Sequence, residues 1–115
     1  MKRGEVYWAS LSPRSGSEQQ CTRPVIVVSH DGFNETPGWR SVIVIPVSTS
    51  PTQAKRGPTV VTLPAGAGGI PKESVALCHK VTTLDRGKLT SQLGELPESL
   101  LDDVGEALKI AQDLT

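Results

Sequence analysis

Arg23 stands between a polar stretch, Arg14-Ser15-Gly16-Ser17-Glu18-Gln19-Gln20, and the β-branched run Val25-Ile26-Val27-Val28. A guanidinium offers five donors in a rigid fork, which suits a phosphate whose equatorial oxygens gain charge during transfer. A salt bridge on the rim of the fold is the other use of such a side chain. Glu18, in the same stretch, is available as a base or as a partner for Arg23. His30 and His79 are the only side chains that titrate near neutrality unperturbed, and nothing in their spacing brings them together. With Cys21 and Cys78 they make a conceivable metal set, yet no CxxC or HxxxH spacing pre-forms half a site, so no metal is expected. Read as strand neighbours, Cys78 and His79 point to opposite faces, which also parts the thiol from an activating imidazole and leaves Cys78 as core. Gly66-Ala67-Gly68-Gly69 follows a strand as a nucleotide loop would, but Pro71 comes at once and no Walker lysine-serine pair follows, so a hairpin loop is expected.

These residues must be carried by short strands. Val6–Leu11 mixes β-formers at period two and ends at Ser12-Pro13, and its Trp8 is expected in the core. Val25–Val28 is an uninterrupted run suited to a strand buried on both faces. Ser29–Arg40 is rich in turn chemistry and leads to a third strand, Val42–Val47. Thr59–Leu63 and Val75–Val81 read as further strands separated by a Gly- and Pro-rich link, and a short last one runs through Leu93–Leu96. Pro97 suits a first helical position, and Leu100, Val104, Leu108 and Ala111 repeat at helical spacing, which gives an amphipathic C-terminal helix. Gly105 inside it costs about 1 kcal/mol against alanine, so its packed face must hold it. No link carries a crossover helix, so the expected fold is a mainly β, small antiparallel barrel with minor α content, in one domain over residues 1–115.

The formal net charge is zero, so the total gives no electrostatic pointer to a nucleic acid. The distribution does more: residues 97–115 hold five acids against Lys109, leaving eleven cations against seven acids in residues 1–96. A basic body is compatible with a bound polyanion, and an acidic solvated helix face explains the tail equally well. No stretch approaches the roughly 18 apolar residues of a membrane helix, and two isolated cysteines do not make a secreted disulfide framework. A cytoplasmic protein with no membrane contact is expected.

Four segments together resemble one family. Lys2-Arg3-Gly4-Glu5-Val6-Tyr7-Trp8, then Gly16-Ser17-Glu18-Gln19, Thr22-Arg23-Pro24-Val25-Ile26-Val27-Val28-Ser29 and Val42-Ile43-Val44-Ile45-Pro46-Val47-Ser48-Thr49-Ser50 are similar in order and spacing to the MazF/PemK toxins. Thr83-Leu84-Asp85-Arg86-Gly87-Lys88-Leu89 and the closing helix extend the likeness over essentially the whole chain. The resemblance implies an SH3-like barrel with short helices, a two-fold homodimer, a MazE-like antitoxin, and selective cleavage of single-stranded RNA to 2′,3′-cyclic phosphate and 5′-hydroxyl ends. It places the catalytic pair on Arg23 and on Ser48, where the family usually has threonine, with Thr49 as the alternate hydroxyl, because a one-residue shift in a strand reverses its face. Lys80-Val81-Thr82-Thr83 departs from the family's usual Gln-Ile-Arg-Thr, so a cleavage code is not carried over.

Such a reaction uses the 2′-hydroxyl of the RNA as nucleophile and needs no cofactor; the protein aligns it, removes a proton and stabilises the pentacoordinate charge. Arg23 fits the last task and not the proton transfer, since a guanidinium keeps its proton in proteins. RNA contacts are assigned to Ser17, Gln19, Gln20 and Thr22 beside Arg23, to Lys55, Arg56, Lys80, Thr82 and Arg86, with Lys88 also able to follow the backbone, and to Trp39 or Phe33 as base-stacking platforms. Two readings compete with the nuclease: a non-catalytic CcdB-like gyrase poison on the same barrel, and an RNA- or protein-binding barrel whose catalytic pair has decayed.

Overall fold

The computed structural model describes residues 1–11, 21–55 and 57–114. Its elements are β1 (Glu5–Leu11), β2 (Cys21–Val27), α1 (Asp31–Asn34), β3 (Ser41–Ser48), β4 (Val60–Leu63), β5 (Ser74–Leu77), β6 (Thr82–Asp85), β7 (Leu89–Glu95) and α2 (Glu98–Ala111). All strand pairs are antiparallel. The order is β4-β5-β3-β2-β1-β7, with β6 added on β3, so the sheet curls into a barrel-like form without closing.

Alternation along the strands builds an apolar layer on each face of the sheet. Val6, Ile26, Ile45 and Val47 face α2 and pack with Leu63, Ile70, Cys78, Val104 and Ala107. Ala9, Val25, Val27, Val42 and Val44 form the second layer, flanked by Met1, Tyr7, Leu84 and Leu89. Val25, Ile26 and Val27 are all buried, as expected for a strand covered on both sides.

β3 organises the sheet. Its first half pairs β6, from Ser41↔Asp85 to Val44↔Thr82, and its end pairs β5 through Val47↔Ala76 and Ser48↔Val75. On the other side the β2 ladder ends at Val25↔Pro46. Pro46 has no N–H to donate on the side that faces β6 and β5, which is why the strand changes partner there.

Several expectations need correction. The strand expected through Val81 stops at Leu77, whose backbone leaves the extended region at ψ 81°, and Cys78–Lys80 form a 3-10 turn. The opposite-face argument for Cys78 and His79 falls with that strand, although Cys78 is buried in the core as expected. Trp8 is half-buried and outside both apolar layers, although β1 alternates regularly, with Val6 in one layer and Tyr7 and Ala9 at the other. Ala111 is exposed and Ala107 takes its place on the buried face of α2. Pro97 caps that helix with a non-helical ψ of 148° instead of opening its first turn. β6 and α1 were not anticipated.

The glycine run lies in the β4–β5 connection, as the hairpin reading requires. A Cβ on Gly69 would lie 2.2 Å from the Leu93 carbonyl oxygen, and Gly69 has φ +81°. This glycine lets the turn press on β7, a packing role that explains the run without a phosphate.

Candidate functional site

β2 begins at Cys21, so Arg23 lies within a strand and its side chain has a defined face. It stands opposite Ala9 of β1 and shares its face with Val25 and Val27. Continuing the Val25↔Pro46 register by two residues sets Arg23 opposite Ser48, on the face of Val42 and Val44. Beyond that pair the strands part and leave a groove of about 380 Å³ lined by Thr22, Arg23, Pro24, Val47, Ser48, Thr49 and Ser50. Two apolar layers thus supply a rigid floor, and the split at Pro24 supplies the opening.

Arg23 is exposed, is the one charged residue among the described residues lining the groove, and has no side-chain partner among the described residues. Its fork is therefore free to take an anion. Ser48 is buried, with 8% of its surface exposed, and its Oγ accepts the Ser50 N–H at 3.0 Å. With one lone pair so engaged, the hydroxyl proton is left to be donated into the groove. Thr49 lies one residue further along, exposed, on the other side of the alternation. Shared facing therefore joins Arg23 to Ser48 in preference to Thr49.

A second recess of about 390 Å³ adjoins the groove, with Ser48, Thr49 and Ser50 as the common wall. Lys55, held by the 3-10 turn Gln53–Lys55, lines it together with Thr62, Glu73 and Ser74. Sequence reasoning named Lys55 and missed the others. Glu73 and Ser74 belong to the site because β5 pairs the end of β3, a long-range register that no local pattern announces.

Other assigned residues are not gathered here. Trp39 and Arg86 sit at the opposite end of β3, about 23 Å from Ser48 at 3.3 Å per residue. Trp39 stacks on Phe33 with ring centroids 5.0 Å apart, and Arg86 Nε donates to the Trp39 carbonyl at 3.0 Å. Thr82 pairs Val44 midway along β3, and Lys80 is exposed in the turn before it. Ser17, Glu18, Gln19, Gln20 and Arg56 lie outside the described residues. Neither histidine lines the groove or the recess: His30 Nδ1 accepts the Gly32 N–H at 2.8 Å and caps α1, while His79 Nδ1 lies 3.2 Å from Thr59 Oγ1. Burial pushes the Cys78 thiol up to about 11, so it is an inert core group and not a nucleophile.

Residues 2–111 match the family model described as PemK-like, MazF-like toxin of type II toxin-antitoxin system. Endoribonuclease MazF6 of Mycobacterium tuberculosis is 36% identical over 114 residues, covering 99% of this chain and 98% of its own. Endoribonuclease EndoA of Bacillus subtilis is 36% identical over 111 residues, covering 96% and 93%. Among solved structures, the MazE-MazF complex from Deinococcus radiodurans superposes with a TM-score of 0.79 at 30% identity, over 100% of this chain and 97% of that one. On a match spanning nearly its whole length, this chain belongs to the PemK-like, MazF-like toxins of type II toxin-antitoxin systems.

Proposed function

We propose that the protein is a metal-independent endoribonuclease that cuts single-stranded RNA by attack of the substrate's own 2′-hydroxyl, leaving a 2′,3′-cyclic phosphate and a 5′-hydroxyl. The observation that carries this reading is that Arg23 and Ser48 share one sheet face and line one groove. Arg23 grips the phosphate and stabilises the charge of the pentacoordinate state, and Ser48 donates a hydrogen bond to a non-bridging oxygen. Thr22 orients the backbone beside them. Arg23 is too basic to accept the nucleophile's proton. Glu18 is the carboxylate that the sequence supplies nearest to Arg23, and we assign it that role, with the proton it takes from the 2′-hydroxyl then given to the departing 5′-oxygen as the P–O5′ bond breaks.

The protein acts as the toxin of a pair, arresting growth through loss of translatable mRNA, with a MazE-like antitoxin as its partner and a two-fold homodimer as its working form. The naming of its relatives as endoribonucleases supports the activity, and the MazE-MazF assembly of its structural neighbour supports the antitoxin partner. No helix among the described residues is long and apolar enough to cross a membrane, and the cytoplasm, where mRNA is found, is the compartment we assign.

The test incubates purified protein with a long single-stranded RNA in EDTA beside Arg23→Ala and maps new ends by primer extension. Cuts at a recurring short sequence are expected, reduced by roughly a hundredfold or more in the variant, as for loss of one oxyanion donor. Intact RNA across varied substrates would refute the nuclease and favour the gyrase-poison or binding-barrel reading.

A further inference from the structure

The recess beside the groove is unlike a phosphate site. Lys55 and Glu73 both line it, and neither side chain has an ion-pair or hydrogen-bond partner among the described residues. Both are firmly mounted. The turn carrying Lys55 is closed by Ala54 N–H to Ser50 O at 3.2 Å and Lys55 N–H to Thr52 O at 3.3 Å. Glu73 adjoins Ser74, which pairs Leu63 of β4, while the next residue, Val75, pairs Ser48 of β3. Ser74 Oγ donates to the Lys72 carbonyl at 2.8 Å, so the hydroxyl turns only lone pairs to the recess.

The recess thus offers one cation and one carboxylate, with the Ser74 oxygen as an acceptor beside them and hydroxyls of either sense around them. A phosphate would be repelled by Glu73, whereas a nucleobase edge can satisfy both signs. Guanine alone among the four bases presents two adjacent donors, N1–H and the N2 amine, next to an acceptor, O6. Adenine and cytosine set a single amine beside a ring acceptor that would face the second carboxylate oxygen, and uracil has one N–H between two carbonyls.

We infer that this recess, with Lys55 and Glu73 on its walls and Ser48–Ser50 shared with the Arg23 groove, is a base-selecting subsite that takes guanine from a nucleotide flanking the cut. Glu73 accepts from N1–H and the N2 amine, and Lys55 donates to O6. This rests on the endoribonuclease reading and deepens it by naming a residue that sets the code.

The experiment digests a randomised RNA library with the wild-type protein, then compares the best substrate with one carrying inosine, which lacks the N2 amine, at the enriched position. Guanine should be enriched at one fixed position within about two nucleotides of the cut, and inosine there should lower kcat/KM by roughly tenfold to a hundredfold. In Glu73→Gln the guanine and inosine substrates should become equal. Arg23-dependent cutting without a fixed guanine, or with guanine and inosine cut alike by the wild type, overturns the subsite while leaving the nuclease intact. Absence of any Arg23-dependent cut removes both. The inosine arm uses the unaltered protein, so the outcome does not depend on how well the variant folds.

Discussion

At the scale of single residues, the site turns on which hydroxyl meets the phosphate. Ser48 shares a face with Arg23, and its oxygen already accepts one N–H, so its proton has a defined direction. Ser48→Ala is expected to slow cleavage by roughly tenfold to a hundredfold, the worth of a hydrogen bond to a charged group. Ser48→Thr should restore most of the rate, and Thr49→Ala should cost less than Ser48→Ala. Single-turnover rates on one RNA measure all three, and a larger loss at Thr49 would reverse the assignment. Arg23 was legible in the sequence as a phosphate ligand or a rim salt bridge, and the family resemblance chose between the two. Ser48 was legible only through family resemblance, since its face depends on a pairing register. Glu73 was not legible, because its relation to Ser48 exists only once β5 has zipped onto β3.

At the scale of elements, two features can be tested without RNA. A Cβ on Gly105 would meet nothing closer than Arg3 Nη2 at 3.8 Å, and α2 is regular around it. Gly105→Ala should therefore stabilise the protein by about 0.5–1 kcal/mol, seen as a rise of a few degrees in Tm. The short α1 is tied to the N-terminus by Asp31, whose Oδ1 accepts the Arg3 N–H at 2.6 Å and whose side chain also meets Asn34. The Arg3 hydrogen bond is the main reason that the Asp31 carboxyl sits below its ordinary range, and the Arg40 hydrogen bond does the same for Asp85. The native protein favours the carboxylate forms while the unfolded chain protonates first. Their contribution is therefore present above the ordinary aspartate value near 3.9 and is lost as pH falls through the depressed native pKa. Urea midpoints taken from about pH 5 to about pH 3 should fall, and fall less steeply in Asp31→Asn. Strands with β-branched runs could be read from composition alone. β6, mostly exposed Thr82-Thr83-Leu84-Asp85, could not, because it is specified by pairing with β3 and not by an apolar pattern of its own.

At the scale of the molecule, zero net charge concentrates any electrostatic hold on RNA into a few positions. Arg23 and Lys55 are the cations lining the groove and recess among the described residues. Binding of a 2′-deoxy-blocked RNA should then show log K falling against log salt with a slope of about −0.7, for the one phosphate contact at Arg23. A slope several times steeper would mean that the whole basic body is engaged. The mainly β, antiparallel architecture was legible because the links between strands are too poor in helical pattern for parallel crossovers. The way in which one strand serves three neighbours was not, since it is a property of register. That fork has one more consequence. The split between β2 and β3 is left open by a missing donor at Pro24, which follows Val28 and Ile26 on the edge of β2 that faces β3, and it needs no wedge to hold it, so the cleft is a seam that was never sewn. Such a seam is ready before the substrate arrives, and no part of the substrate's binding energy is diverted into opening it.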